Sequence, residues 1–217
     1  MKKALLITAL IIGFAVFILS MLVMHAKPEA PANPMPTRDK LVRDHSPILG
    51  SPAAPVVIVE FLDPACGTCR DFYPLVKSLL ADSAGQVSLI IRYAPFHVGA
   101  DRIVMLLDAA RRQGQFWPVL DTLMATQDTW VIQHRPQLEL AMAELRKTSL
   151  SLDWARLERD MNSPEAHAIV KQDLADASAL LISKTPEFIV NGRPLQTFGW
   201  EPLKKLVAEE LQKVHAR

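Results

Sequence analysis

Val56-Val57-Ile58-Val59-Glu60-Phe61-Leu62-Asp63-Pro64-Ala65-Cys66-Gly67-Thr68-Cys69-Arg70 decides how this chain is to be read. The first six residues are apolar and β-branched except for Glu60, the composition of a short strand covered on both faces. Asp63-Pro64 ends that run. Cys66 and Cys69 then fall where a helix should begin. Residues three apart on a helix lie on one face about 5–6 Å apart, within reach of a disulfide. The first cysteine also meets the free N–H groups and positive end of the helix, which favour thiolate over thiol. A strand, a sharp turn and C-x-x-C at a helix start make a dithiol able to cycle.

Other uses of the pair are weighed against that one. Cys66 and Cys69 are the only cysteines. A structural zinc site takes four ligands, usually from two such pairs. A structural disulfide more often closes a long loop, which constrains the unfolded chain more than this short one does. A static disulfide, or a soft-metal module holding an ion such as Cu(I), stays as the alternative to redox cycling. C-x-x-C beside a βαβ pattern favours cycling.

The segment Glu60-Phe61-Leu62-Asp63-Pro64-Ala65-Cys66-Gly67-Thr68-Cys69 resembles the active-site stretch of DsbA-like thiol:disulfide oxidoreductases of the thioredoxin superfamily. Thr185-Pro186-Glu187-Phe188-Ile189-Val190-Asn191-Gly192 is similar to that family's cis-proline loop and following strand, and Gly114-Gln115-Phe116-Trp117 to a motif of its inserted helical region. The likeness runs from about Ser46 to the C-terminus. It implies an α/β protein: a thioredoxin fold with an inserted α-helical subdomain.

Outside that region the composition changes twice. Lys2 and Lys3 precede an apolar run over 4–24. Such a run matches the roughly 20 residues that span a bilayer better than the about 7–15 of a cleavable signal core. Met24-His25-Ala26 is a poor cleavage site, so residues 1–26 are read as a transmembrane anchor, or an uncleaved signal, with the lysines on the cytoplasmic side. Residues 27–45 form a linker whose Pro28, Pro31, Pro34 and Pro36 favour an extended spacer. Residues 46–217 are then one extracytoplasmic domain, which suits a chain whose cysteines are a functional pair in an oxidising compartment. The net charge of +1 offers no footprint for nucleic acid.

Within that domain, 46–55 is rich in turn residues. A helix is expected over 67–81, with Phe72, Leu75, Val76, Leu79 and Leu80 apolar and Pro74 kinking it. Residues 87–93 make a second strand, completing a right-handed βαβ unit. Helical periodicity follows over 102–112, 116–125, 137–146, 152–161 and 164–181, the last with Ser163 as N-cap and Pro164 at the first position. This block, about 98–182, is the expected insertion. Short strands over 187–190 and 194–198 flank Asn191-Gly192, a hairpin signal. A helix over 200–214 closes the chain, with Leu203, Leu206, Val207 and Leu211 inward.

The candidate catalytic residues are Cys66, Cys69, Glu60 and Pro186. Cys66, at the turn, is expected to be the exposed nucleophile, and Cys69 the resolving thiol. A carboxylate in an apolar strand is costly unless it has a task or a partner; the resemblance implies that Glu60 manages the proton of the inner cysteine. The resemblance also implies that the Thr185-Pro186 bond is cis, facing the cysteines, with Thr185 offering backbone hydrogen bonds to a substrate strand. Gly67 and Thr68 lie between the cysteines, where substrate passes. The strongest oxidants of the family carry Pro-His there, so a moderately oxidising pair is expected. His97 reads as a loop or cap residue, and Trp117 and Trp130 as packing. No metal and no cofactor beyond a Cys66–Cys69 disulfide are expected. The implied partners are cysteine-containing exported proteins and a protein that reoxidises or reduces the dithiol, with the chain itself a monomer.

Overall fold

The computed structural model describes residues 41–216. The expected anchor and most of the expected linker lie outside the described residues. Among those residues no helix is long and apolar enough to cross a membrane.

The strand read first, β2 (Val56–Leu62), is the centre of a five-stranded sheet. It runs parallel to β3 (Val87–Tyr93) and antiparallel to β6 (Glu187–Val190). Two short strands finish the edges: β1 (Ile48–Leu49) pairs antiparallel with β3, and β7 (Arg193–Pro194) antiparallel with β6. The parallel step from β2 to β3 is made by α1 (Gly67–Asp82). Pro74 sits inside α1 without dividing it.

Five helices follow before β6: α2 (Ala100–Arg111), α3 (Phe116–Ala125), the short α4 (Gln127–Trp130), α5 (Leu138–Arg146) and α6 (Trp154–Met161). A sixth, α7 (Pro164–Ala179), returns the chain to the sheet. After β7 comes α8 (Trp200–His215). The helical block lies between β3 and β6, over residues 100–179. Ser163 caps α7 by accepting from the Ala166 N–H at 3.2 Å, as its sequence pattern suggested.

Strand alternation gives the sheet two apolar faces. Val56, Ile58 and Leu62 of β2 join α1, α8 and the insertion helices in one large core. Val59 and Phe61 face the other way, against Leu41, Ile90, Ala177 and Ile189. Glu60 shares parity with Ile58 and Leu62, so β2 delivers a carboxylate into the α1 side of the core.

The second face also holds a buried ionic cluster. Arg92 of β3 donates to Asp173 at 2.9 Å and Asp176 at 2.7 Å, both on α7. Arg43 donates to both oxygens of Asp176, and His45 Nε2 lies 2.7 Å from Asp173.

Three local readings are corrected. The turn-rich stretch before β2 contains the edge strand β1. The strand expected over 194–198 is reduced to the two residues of β7, ahead of Gly199, which sits at φ 149°. A small hairpin, β4 (Val131–Ile132) with β5 (Arg135–Pro136), interrupts the helical block. Its turn residues Gln133 and His134 have φ of 50° and 62°, the backbone of a tight I′-type turn without the usual Asn-Gly.

Candidate active site

Cys66 is the N-cap of α1, its backbone extended at φ −79° and ψ 121°. Its carbonyl accepts from the Arg70 N–H at 3.1 Å, the first bond of the helix. Its sulfur therefore lies against the unsatisfied N–H groups of the first turn. The sulfur also donates to the Thr185 carbonyl at 3.3 Å. Thr185-Pro186 is cis and faces the cysteines, as expected. The expectation of an exposed nucleophile is corrected: Cys66 is only 7% exposed, because the Thr185-Pro186 loop lies over it, and Cys69 is fully buried. Gly67 and Thr68 are exposed between them. A Cβ built at Gly67 would meet nothing within 4 Å, so this dipeptide faces open space.

Electrostatics separate the two thiols. The Cys66 thiol is lowered to about 5, first by a hydrogen bond from Cys69, against the opposing effect of burial, and further by the Thr185 side chain and the N–H groups of Cys69 and Thr68. Cys69 is pushed well above its ordinary range, by burial first, then by its bond to Cys66 and the nearby charge of Glu60. At neutral pH the dithiol carries its charge on the outer sulfur and its proton on the inner one.

Glu60 is fully buried, and neither carboxylate oxygen has a hydrogen-bond partner among the described residues. Burial, and secondarily the charge on Cys66, raises it to about 8. A carboxyl group held near neutrality, beside a cysteine that must gain and lose a proton, has the acidity of a general acid–base.

Two residues not assigned a site role from sequence fix the turn between strand and helix. Asp63 is fully buried. One of its oxygens accepts from the Ala65 N–H, and the other from the N–H groups of Phe96 and His97, each at 2.8 Å. His97 Nδ1 lies 2.7 Å from that second oxygen. From the opposite side Gln127 of α4, also buried, donates its carboxamide N–H groups to the Pro64 carbonyl at 2.8 Å and the Cys66 carbonyl at 3.1 Å. Asp63 was readable as a turn former; nothing local marked Gln127. Trp130 is buried, its indole N–H donating to the Leu123 carbonyl. Trp117 donates to Ile48. Both pack, as the sequence suggested. Among the described residues no group of three or more His, Cys, Asp or Glu side chains is gathered as a metal would need.

A family model described as thioredoxin matches residues 43–209. This chain belongs to the thioredoxin family. Among its relatives, the probable disulfide bond formation protein D of Bacillus anthracis is 29% identical over 177 residues, 76% of this chain and 78% of that protein. The Na(+)/H(+) antiporter NhaA 3 of Salinispora tropica is 34% identical over 154 residues, 70% of this chain but 22% of that protein. The chain thus spans about a fifth of the antiporter's length. Among solved structures, a thioredoxin-like oxidoreductase from Silicibacter pomeroyi is 27% identical with a TM-score of 0.69, covering 84% of this thioredoxin-family chain and 99% of that one. The resemblance to DsbA-like proteins read from the sequence holds.

Proposed function

We propose that this protein is a thiol:disulfide oxidoreductase that uses Cys66 and Cys69 to oxidise cysteine-containing exported proteins. The observation that carries the reading is the contrast between the sulfurs: Cys66 favours thiolate at the tip of α1, while Cys69 is buried beside Glu60. Its relatives named for disulfide bond formation support the same chemistry.

In the oxidising direction a client thiolate attacks Cys66 of the Cys66–Cys69 disulfide. A client–Cys66 mixed disulfide forms, the Cys66–Cys69 bond breaks, and Cys69 leaves with the electron pair. Glu60 supplies the proton that Cys69 needs in its dry site, and recovers one when the pair is reoxidised. The client's second thiol, once deprotonated, attacks the client sulfur of the mixed disulfide. Cys66 departs as a stable thiolate, the client gains a disulfide and the enzyme holds two more electrons.

Thr185 presents its backbone to the client strand beside the reacting sulfur, Pro186 shapes that loop, and Gly67 and Thr68 line the path of approach. The apolar run over 4–24 would anchor the domain outside the cytoplasm, and a membrane or soluble partner of opposite redox poise would restore the disulfide. The enzyme acts as a monomer, with no cofactor beyond its own disulfide.

Cys66→Ser should abolish disulfide formation in a reduced client peptide. Normal rates in that variant would overturn the proposal. Thiol trapping in cells should find the pair mostly as disulfide; a pair held mostly as dithiol would instead mark a reductase or isomerase.

A further inference from the structure

The insertion reaches the active-site turn through a buried amide. Gln127 is 3% exposed and lies in α4, the short helix between α3 and the β4–β5 hairpin. Its Nε2 donates to the carbonyls of Pro64 and Cys66, at 2.8 and 3.1 Å. Carbonyl oxygens only accept, so the amide nitrogen must be the atom that faces them. Both of its hydrogens are therefore directed at the carbonyls of the residues on either side of Ala65.

That placement matters for the reacting sulfur. The Cys66 carbonyl already opens the helix by accepting from Arg70. Its orientation fixes the Cys66 peptide, and with it where the sulfur sits relative to the free N–H groups of the first turn. Asp63 holds the same turn from the β3 side, through Ala65, Phe96 and His97. Gln127 is its counterpart from the insertion. It also sets two positively polarised hydrogens against carbonyls whose negative ends would otherwise oppose a thiolate.

We propose that Gln127 is a positioning residue for disulfide exchange, holding the Pro64 and Cys66 peptide groups so that the Cys66 sulfur stays under the N-terminal N–H groups of α1. The helical insertion thereby acts on the nucleophile from behind the turn, without touching the client. Other ties link the same two parts: Arg70 pairs with Asp128, and the Tyr73 hydroxyl donates to Asp121 at 2.8 Å. Those ties hold α1 to the insertion farther along the helix. Gln127 alone among them binds the carbonyl of the reacting cysteine.

The inference rests on the exchange reaction proposed above, and its test separates the two. In the full reduced chain, Gln127→Leu removes both donors at similar volume. The pH profile of Cys66 alkylation should move upward, giving about tenfold slower alkylation near pH 4, while the circular dichroism of the folded protein stays unchanged. Gln127→Glu, held protonated between two carbonyls, keeps a single O–H donor and should move it part of the way. An unmoved profile in folded Gln127→Leu overturns the assignment. If Gln127→Leu does not fold, Gln127→Glu takes its place; failure of both to fold gives the residue to the fold alone and also overturns it. Wild-type exchange with a dithiol peptide is measured in parallel. An inactive wild type with a shifted variant profile would overturn the proposed reaction and leave the role of Gln127 at the sulfur standing.

Discussion

Glu60 and Cys69 share a dry compartment behind α1, each fully buried and each with its acidity weakened by burial. The charge of Glu60 further disfavours the Cys69 thiolate. Two acids so placed do not ionise together readily.

The first prediction follows for Glu60→Gln. In the folded chain the carboxyl holds its proton up to about pH 8, whereas an unfolded glutamate loses it near about 4.3. The folded state binds more protons between those values. Its stability is fully present below about pH 4.3 and is lost as pH rises through about 8. Glutamine does not titrate. The stability of Glu60→Gln relative to wild type should thus grow by roughly 5 kcal/mol across that window, measured by urea unfolding of the reduced forms. Exchange by the variant should be slower, and an unchanged rate would remove Glu60 from the proton path.

Cys66 gives the opposite sign. Its thiol is lowered to about 5, below the about 8.5 of a free cysteine. The reduced protein's stability from this group is present above about pH 8.5 and is lost as pH falls through about 5. At pH 7 it is worth roughly 2–3 kcal/mol. Because the stabilised thiolate belongs to the reduced form, the disulfide should be a fair oxidant. The value lies between the about 3.5 of DsbA and the about 7 of thioredoxin. The potential should accordingly fall between about −120 mV and about −270 mV, read by equilibration with glutathione. A potential at the DsbA end would show that the absence of Pro-His between the cysteines costs nothing.

Much of this was legible in the sequence, for a physical reason. The residues that carry the chemistry sit at the junction of strongly patterned elements: β2 announces itself by composition, α1 by periodicity, and the turn by Asp63-Pro64. Glu60 stood out because a charge in an apolar run has few reasons to be there. What did not show were side-chain bonds across long separations. Gln127 lies 61 residues from the Cys66 carbonyl it binds, and no local pattern distinguishes it from a surface glutamine. The β4–β5 turn was hidden because Gln133 and His134 adopt positive φ without the residue types that usually signal it. The near-burial of Cys66 was equally hidden, being set by the distant Thr185-Pro186 loop.

The ionic cluster behind the sheet makes a third prediction. Burial opposes the charge on Asp176, yet hydrogen bonds from Arg43 and Arg92 hold it down at about 2. Asp173 is likewise lowered by His45 and Arg92, against its burial. Both are depressed below an unfolded aspartate near about 3.9. Their stabilisation is present above that value and is lost as pH falls toward about 2. Removing Arg92 takes one buried cation from two buried carboxylates and leaves them Arg43 and His45. Arg92→Met should therefore cost about 3–5 kcal/mol near neutral pH, and the gap to wild type should narrow on acidification. Urea curves at several pH values test both parts.

Asp63 makes the last prediction, because one buried carboxylate joins three backbone N–H groups from two separate loops. It anchors Ala65, on the approach to the reacting cysteine, and Phe96 and His97, which lead from β3 into the insertion. With Asp63→Ala those donors remain buried or part-buried without an acceptor, each costing about 1–3 kcal/mol. The sum exceeds what a surface substitution changes, so the variant should lose about 3–5 kcal/mol of stability. Asp63→Asn keeps one acceptor oxygen and should recover part of that loss. Because the turn also sets the place of Cys66, the reactivity of its thiol should fall in folded Asp63→Asn, while Arg92→Met leaves that reactivity unchanged. A thiol equally reactive in both variants would show that the carboxylate supports the loops alone and has no part in setting the sulfur.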